Sequence, residues 1–190
     1  MYNFKDSGNR NRDLCFFDLE ATGLSAYSEI LEIGAIRIET DSLNIMEEFS
    51  TKTLPERIET ADPEALEVVG YDEKVWKKEA IPIKEALEKF LVFAEDCVLV
   101  AHNLPFDWMW LQRSLEDNGL NPTFFYHGLD TISLAWLKTQ QDKIKTGLSL
   151  KNLSRQFDID MGTHHNALED AKTAYNIFVK LIETDEEADN

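Results

Sequence analysis

The sequence predicts one mixed α/β domain: a five-stranded sheet with helices on both faces. Three observations point there. Three strand-like runs, the first two apolar and the third more exposed, follow one another within the first 53 residues, close enough to pair as an antiparallel meander. After them, helix-period and strand-period segments alternate, a pattern that sets helices against a mixed sheet. The 190 residues, 43% of them hydrophobic, suffice for one substantial core and fall short of two ordinary domains.

Residues 14–19 (LCFFDL) form an apolar run of strand length. Residues 29–39 (EILEIGAIRIE) show little polar alternation, which places that strand in the sheet interior. Residues 44–53 read as a third, more exposed strand. Asp62-Pro63 starts a helical region, because proline is pre-set for a first helical position. Across 81–94, Pro82 sits near the first turn, and Ile83, Ala86, Leu87, Phe90, Leu91 and Ala94 share one face of an amphipathic helix. CVLVA at 97–101 reads as a short buried strand, 104–115 as a helix with Pro105 early, and 124–129 as the last strand. Short helices are expected over 131–138 and 148–157. The final helix covers 166–182, with Ala167, Ala171, Ala174, Phe178 and Leu181 as its packed stripe. Its small residues permit close approach to a sheet.

The polar start of the chain reads as a flexible arm over 1–12, the domain as 13–182, and the end as an acidic tail over 183–190, with five acids and no base. No apolar run reaches transmembrane length and the N-terminus lacks the apolar core of a signal peptide, so a cytoplasmic location away from membranes is expected. Cys15 and Cys97 sit in apolar strand-like runs without CxxC spacing and read as buried, reduced thiols. The net charge of −17 argues against a long footprint on duplex nucleic acid, and is compatible with a short contact at a strand end. Charge reverses locally: Lys138, Lys143, Lys145, Lys151 and Arg155 face one acid, Asp142, across 138–155. Lys143, Lys145, Lys151 and Arg155 are expected to guide a phosphate backbone, the alternative being a solvated helix face.

Three distant segments carry the chemistry. FDLEATGL supplies Asp18 and Glu20, AHNLPFD supplies Asp107, and HHNALEDA supplies His165 and Asp170. In a strand, residues two apart point to one face, so Asp18 and Glu20 project together where the first strand ends. Carboxylates brought together repel unless a multivalent cation sits between them. Four of them point to a two-metal site, and a histidine that titrates near neutrality supplies a base, a combination suited to phosphodiester hydrolysis. Each residue has a plainer alternative. Asp18 and Glu20 would be a strand-end acid and an exposed one. Asp107 would complement a helix dipole from the first turn. His102, Asn103 and His165 would be capping residues, and His164 is taken as surface. Asp170, set among the alanines of a packed face, is the acid least compatible with having no partner.

Together the segments resemble the DEDD exonuclease superfamily in its histidine variant (DEDDh, or DnaQ-like). FDLEATGL matches DxExTG, AHNLPFD matches hNxxFD, and HHNALEDA matches HxAxxDA, in the family's order. The similarity covers roughly residues 13–182 and is nearest in character to bacterial proofreading domains. It implies an RNase H-like fold, with Asp18, Glu20, Asp107 and Asp170 binding two Mg²⁺ or Mn²⁺ ions. His165 would take the proton from the attacking water, and 5′-mononucleotides would leave a 3′ end stepwise. It also implies that Thr22, Gly23, Leu24, Asn103 and Phe106 surround the terminal nucleotide, and that Glu64, in EALEVVG, approaches the 3′-hydroxyl. Val69 departs from that stretch, where proofreading subunits often carry histidine.

The expected partner is the 3′ end of a single strand, of DNA first and of RNA as the alternative, in the manner of RNase T or oligoribonuclease. A DNA polymerase is the companion the resemblance suggests. A catalytically silent polymerase-docking module is the reading from another class, and the intact ligand set argues against it. The sequence leaves monomer and homodimer open.

Overall fold

The computed structural model describes residues 12–141, 143–162 and 165–186. The expected arm up to residue 11, Asp142, His164 and residues 187–190 of the expected tail lie outside the described residues.

Strands β1 (Leu14–Ala21), β2 (Ile30–Ile38) and β3 (Ile45–Leu54) form the antiparallel meander. The segment after β3 carries helices α1 (Pro63–Val69) and α2 (Glu73–Glu79). Then follow β4 (Ile81–Pro82), α3 (Ile83–Phe93), β5 (Val98–Ala101), α4 (Leu104–Asp117), β6 (Gly128–Asp130), α5 (Thr131–Thr139), α6 (Leu150–Phe157) and α7 (Ala167–Glu186). The sheet order is β4-β3-β2-β1-β5-β6, with β5 parallel to β1 and β6 parallel to β5.

The alternation along β1 distributes the core. Cys15, Phe17 and Leu19 face a cluster with Leu87 and Phe90 of α3 and Trp110 and Leu111 of α4. Leu14 and Phe16 face the other cluster, with Ala174 and Phe178 of α7. With a period of two, Asp18 and Glu20 continue the Leu14–Phe16 row on the α7 side.

The sheet has six strands, not five. Ile81 and Pro82, expected inside a helix, run parallel to Thr53 and Leu54 before α3 begins. Proline lacks an N–H to donate and is tolerated on such an edge. The expected strand over 124–129 shortens to Gly128–Asp130. Ahead of it, the N–H of Phe125 donates to Cys97 O at 2.8 Å, and Phe124 and Phe125 bury themselves in opposite clusters. The helical region after β3 divides in two. Asp62 caps α1, Gly70 closes it in the left-handed region at φ 69°, and Asp72 caps α2.

Two boundaries move. Arg12, expected in the arm, belongs to the folded body: it is buried, lies over the Phe125 ring and pairs with Asp96 at 3.1 Å. Helix α7 continues through Glu183–Glu186, expected as tail, since no Gly or Pro interrupts it.

Helix α7 approaches the sheet closely at Gly34. This glycine pairs with Asp18 across β1 and β2, and the backbone of Ala167 and Leu168 lies where a β-carbon at residue 34 would stand. Gly34→Ala therefore forces the start of α7 off the sheet. Thermal unfolding of this variant should show a destabilisation of about 1–3 kcal/mol or more, the range of overpacking. Gly119→Ala serves as the comparison: it has open space around it and meets only the cost of a positive φ.

Candidate active site

The strand ends converge on a set of carboxylates. Asp18 and Glu20 leave β1 on the α7 face. Asp107, in the first turn of α4, accepts the Leu19 N–H at 3.0 Å, which seats its carboxylate against the peptide between them. Asp170, in the first turn of α7, accepts the His165 N–H at 3.2 Å. His165 holds a left-handed backbone at φ 62°, which turns the chain into the helix. Ligand atoms of Glu20, His165 and Asp170 all lie within 4.8 Å of one another. Asp18 and Asp107 stand outside that tight group but interact electrostatically with its carboxylates.

Repulsion and burial show in the titration of these groups. Burial, then the charges of Asp107, Glu20, Asp170 and Glu32, holds Asp18 well above the usual carboxylate range. Burial, with Asp170, Glu32 and Asp107, pushes Glu20 up to about 8. Burial raises Asp107 to about 7, against the opposing hydrogen bonds from the Leu19 N–H and its own N–H. Acids drawn together in this way match the donor chemistry of hard divalent ions, which take oxygen ligands. The residues present therefore fit a metal centre.

Two acids not singled out by sequence reading support this arrangement. Glu32 is buried on β2 directly opposite Glu20. Its carboxylate accepts the Ala167 N–H at the start of α7 and pairs with Lys52 at 3.5 Å. Burial raises its pKa and Lys52 opposes the rise. It is the one acid inside the apolar run ILEIGAIRI, and that isolation was its signal. Asp130 joins the starts of two helices: Oδ1 accepts from Asn103 N at 3.0 Å and Leu104 N at 3.2 Å, and Oδ2 from Ser133 N at 3.0 Å and Ser133 Oγ at 2.6 Å. Burial works against its ionisation, but these hydrogen bonds prevail and lower its pKa.

The alternative capping roles at the AHNLPFD junction are not what the side chains do. Asn103 makes no side-chain cap; it turns the backbone at φ 78° into α4. His102 shares a 2.8 Å hydrogen bond with Thr131 Oγ1, and burial lowers its pKa.

Beside Glu20 and His165 opens a cavity of about 340 Å³ with walls of Leu24, Ala65, Val68 and Trp110, and with Glu64 on its rim. Of the expected substrate residues, Gly23, Leu24 and Glu64 line it; Thr22, Asn103 and Phe106 do not. Thr22 instead ties the end of β1 together: Oγ1 accepts the Glu29 N–H at 2.9 Å and its carbonyl accepts the Asp62 N–H at 2.8 Å. Phe106 packs edge-on against Trp110. Trp110, which forms a wall, carried no motif and was missed; Val68 lies within EALEVVG but was not singled out there.

An antiparallel meander extended by two parallel strands, with acids gathered at the end of its first strand, is the frame of an RNase H-like nuclease domain. The sequence over 15–178 matches the RNase_T exonuclease family; the chain belongs to this family, as a DnaQ-like exonuclease domain. It is 37% identical over 169 residues to the PolC-type DNA polymerase III of Caldanaerobacter subterraneus subsp. tengcongensis, covering 88% of this chain and 11% of that protein. It is 30% identical over 185 residues to the PolC-type enzyme of Thermotoga petrophila, covering 94% of this chain and 12% of that protein. The chain thus spans about a tenth of these relatives. Escherichia coli exonuclease I in complex with a dT13 oligonucleotide shares the fold, with a TM-score of 0.78 at 16% identity over 91% of this chain and 41% of that one. Among the described residues, no helix is long and apolar enough to cross a membrane.

The pKa directions predict a pH dependence of the metal-free protein. An acid whose pKa is higher folded than unfolded binds its proton more tightly in the native state, so stability falls as pH rises between the two values. For Glu20 that interval runs from 4.5 to about 8. In EDTA, the melting temperature should fall by several degrees from pH 5 to pH 8. Excess Mn²⁺ should restore it, most strongly at the upper end. Calorimetry with a flat profile in EDTA would mean the carboxylates do not repel as placed.

Proposed function

We propose that this domain is a 3′→5′ exonuclease on single-stranded nucleic acid, DNA foremost, releasing 5′-mononucleotides. The observation that carries the reading is the convergence of Glu20, His165 and Asp170 within 4.8 Å beside a cavity of nucleotide size. Asp18, Glu20, Asp107 and Asp170 would hold two divalent ions, Mg²⁺ or Mn²⁺. When bound, such ions stabilise the charge that builds on the attacking and leaving oxygens.

The chain's own residues do the rest. Leu24 and Val68 offer apolar surfaces to the terminal base or sugar, and the cavity keeps that nucleotide out of bulk water. Glu64 accepts a hydrogen bond from the terminal 3′-hydroxyl, which selects a strand end over an internal position. His165, on its turn ahead of α7, removes the proton from the attacking water as general base. Thr22, through its hydroxyl and carbonyl, and Asn103, through its backbone turn, hold the end of β1 and the start of α4. A DNA polymerase is the proposed companion, supported by the PolC-type relatives. The solved exonuclease I complexes with oligonucleotides support the single-stranded substrate.

The test is nucleotide release from a 3′-labelled single strand. Asp18→Ala should abolish release, and His165→Ala should lower kcat by about 10²–10⁴-fold, the usual worth of a general base, with KM little changed. Release that survives EDTA or Asp18→Ala would overturn the assignment. The same assay on matched RNA reports the sugar preference: DNA should be favoured in kcat/KM, and the reverse order would assign the domain to RNA trimming.

A further inference from the structure

The basic stretch around Arg155 folds into a built feature. Lys143, Lys145 and Arg155, with Thr146, Asn152 and Gln156, line an open basin of about 600 Å³. The loop on its rim is fastened to α6. Gln156 Oε1 accepts the Lys145 N–H at 3.2 Å, and Gln156 Nε2 donates to Lys143 O at 2.9 Å. Between those two lysines, Ile144 is buried in the cluster formed with Leu153 of α6 and Ile177 of α7. These contacts fasten the loop backbone against α6.

Arg155 is treated unlike the other arginines among the described residues. Arg12, Arg37, Arg57 and Arg113 each sit in an ion pair with an acid. Among the described residues, no carboxylate lies within ion-pair distance of Lys145, Lys151 or Arg155. In a chain of net charge −17, with acids in excess, counter-charges are plentiful, yet these three cations are left to solvent. Two cations kept near each other without an ion-pair partner, Lys145 and Arg155, suit an anionic ligand.

The basin also stands at the right end of the sheet. The loop runs on from Thr146 to Leu148, whose backbone lies against the His102 ring at the end of β5. The parallel register of β1 with β5, Phe16 beside Val100, sets His102 level with Asp18. The loop that rims the basin thus leads to His102, at the end of the strand beside β1.

We propose that this basin binds the phosphodiester backbone of the substrate strand upstream of its 3′-terminal nucleotide, through Lys145 and Arg155. The inference rests on the exonuclease reading and adds to it a second anchoring point, remote from the terminal cavity, that holds a long strand and not a short one. It accounts for how so acidic a protein keeps hold of a polyanion: the attraction is local to the basin.

The test is binding without turnover. The full chain in EDTA is titrated against a fluorescent single strand of about 15 nucleotides over a range of salt, by anisotropy. On a single strand, each phosphate neutralised by a cation adds about 0.7 to the salt slope, so Lys145→Gln with Arg155→Gln should flatten it by about 1.4. The dissociation constant for the long strand should rise about tenfold or more at low salt. In turnover assays with metal, KM for the long strand should rise while kcat, and kcat/KM for a dinucleotide, stay unchanged. Lys84→Gln, on the exposed start of α3, should change nothing, and Arg155→Lys should keep most of the slope. An unchanged slope in the double variant overturns the inference, as does an equal weakening on the dinucleotide. If the wild-type chain cleaves no strand, the exonuclease reading fails, and the anisotropy slopes still decide whether the basin binds phosphodiesters.

Discussion

The first turn of α7 rests directly on the backbone of β2 at Gly34, and the arrangement at the strand ends depends on that contact. Three features make the approach close. Gly34 has no β-carbon to hold the helix away. Ala167, Ala171 and Ala174 give the helix a low-relief face. Glu32, two residues from Gly34 on β2, accepts the first N–H of α7 and so fixes the helix along its axis as well as across it. Asp170 and His165 have no other route to the end of β1: one is carried on that helix and the other on the turn that feeds it.

The contact acts against an electrostatic cost. Asp18, Glu20, Asp107, Asp170 and Glu32 gather at the strand ends; burial is the first cause that raises Asp18, Glu20 and Asp107, and neighbouring carboxylates add to it, Asp130 in the case of Asp107. Packing holds them there. The two hydrophobic clusters on opposite faces of β1 anchor the strand, and Asp130 binds the N-termini of α4 and α5 so that Asp107 cannot retreat. A scaffold of this kind spends hydrophobic stabilisation to preserve a centre of negative charge, the usual balance between stability and a functional site.

Much of the fold was legible because its signals are local. The isoleucine-rich run of β2 announced an interior strand, Asp62-Pro63 a helix start, and the alanine stripe of α7 a helix that packs closely. Where the reading missed, longer-range contacts governed. Ile81 and Pro82 extend because β3 offers them an edge, and Phe124 and Phe125 leave the ladder because each finds a separate apolar cluster. Arg12 joins the body because the Phe125 ring and Asp96 receive it.

The sequence by itself determined which chemistry-bearing residues the chain has and in which order: Asp18 and Glu20 two apart on a strand, Asp107 in a first turn, His165 five residues ahead of Asp170. Such spacings are properties of strand and helix periodicity and survive without a tertiary fold. Only the tertiary structure decided that Glu32 and Asp130 belong to the same assembly, that Trp110 and Val68 wall the cavity, and that Thr22 and Phe106 pack as structure outside it. The reason is physical. Periodicity tells which way a side chain leaves its own element, whereas a partner arriving from another element is set by packing, and one glycine at residue 34 sets how near that partner can come.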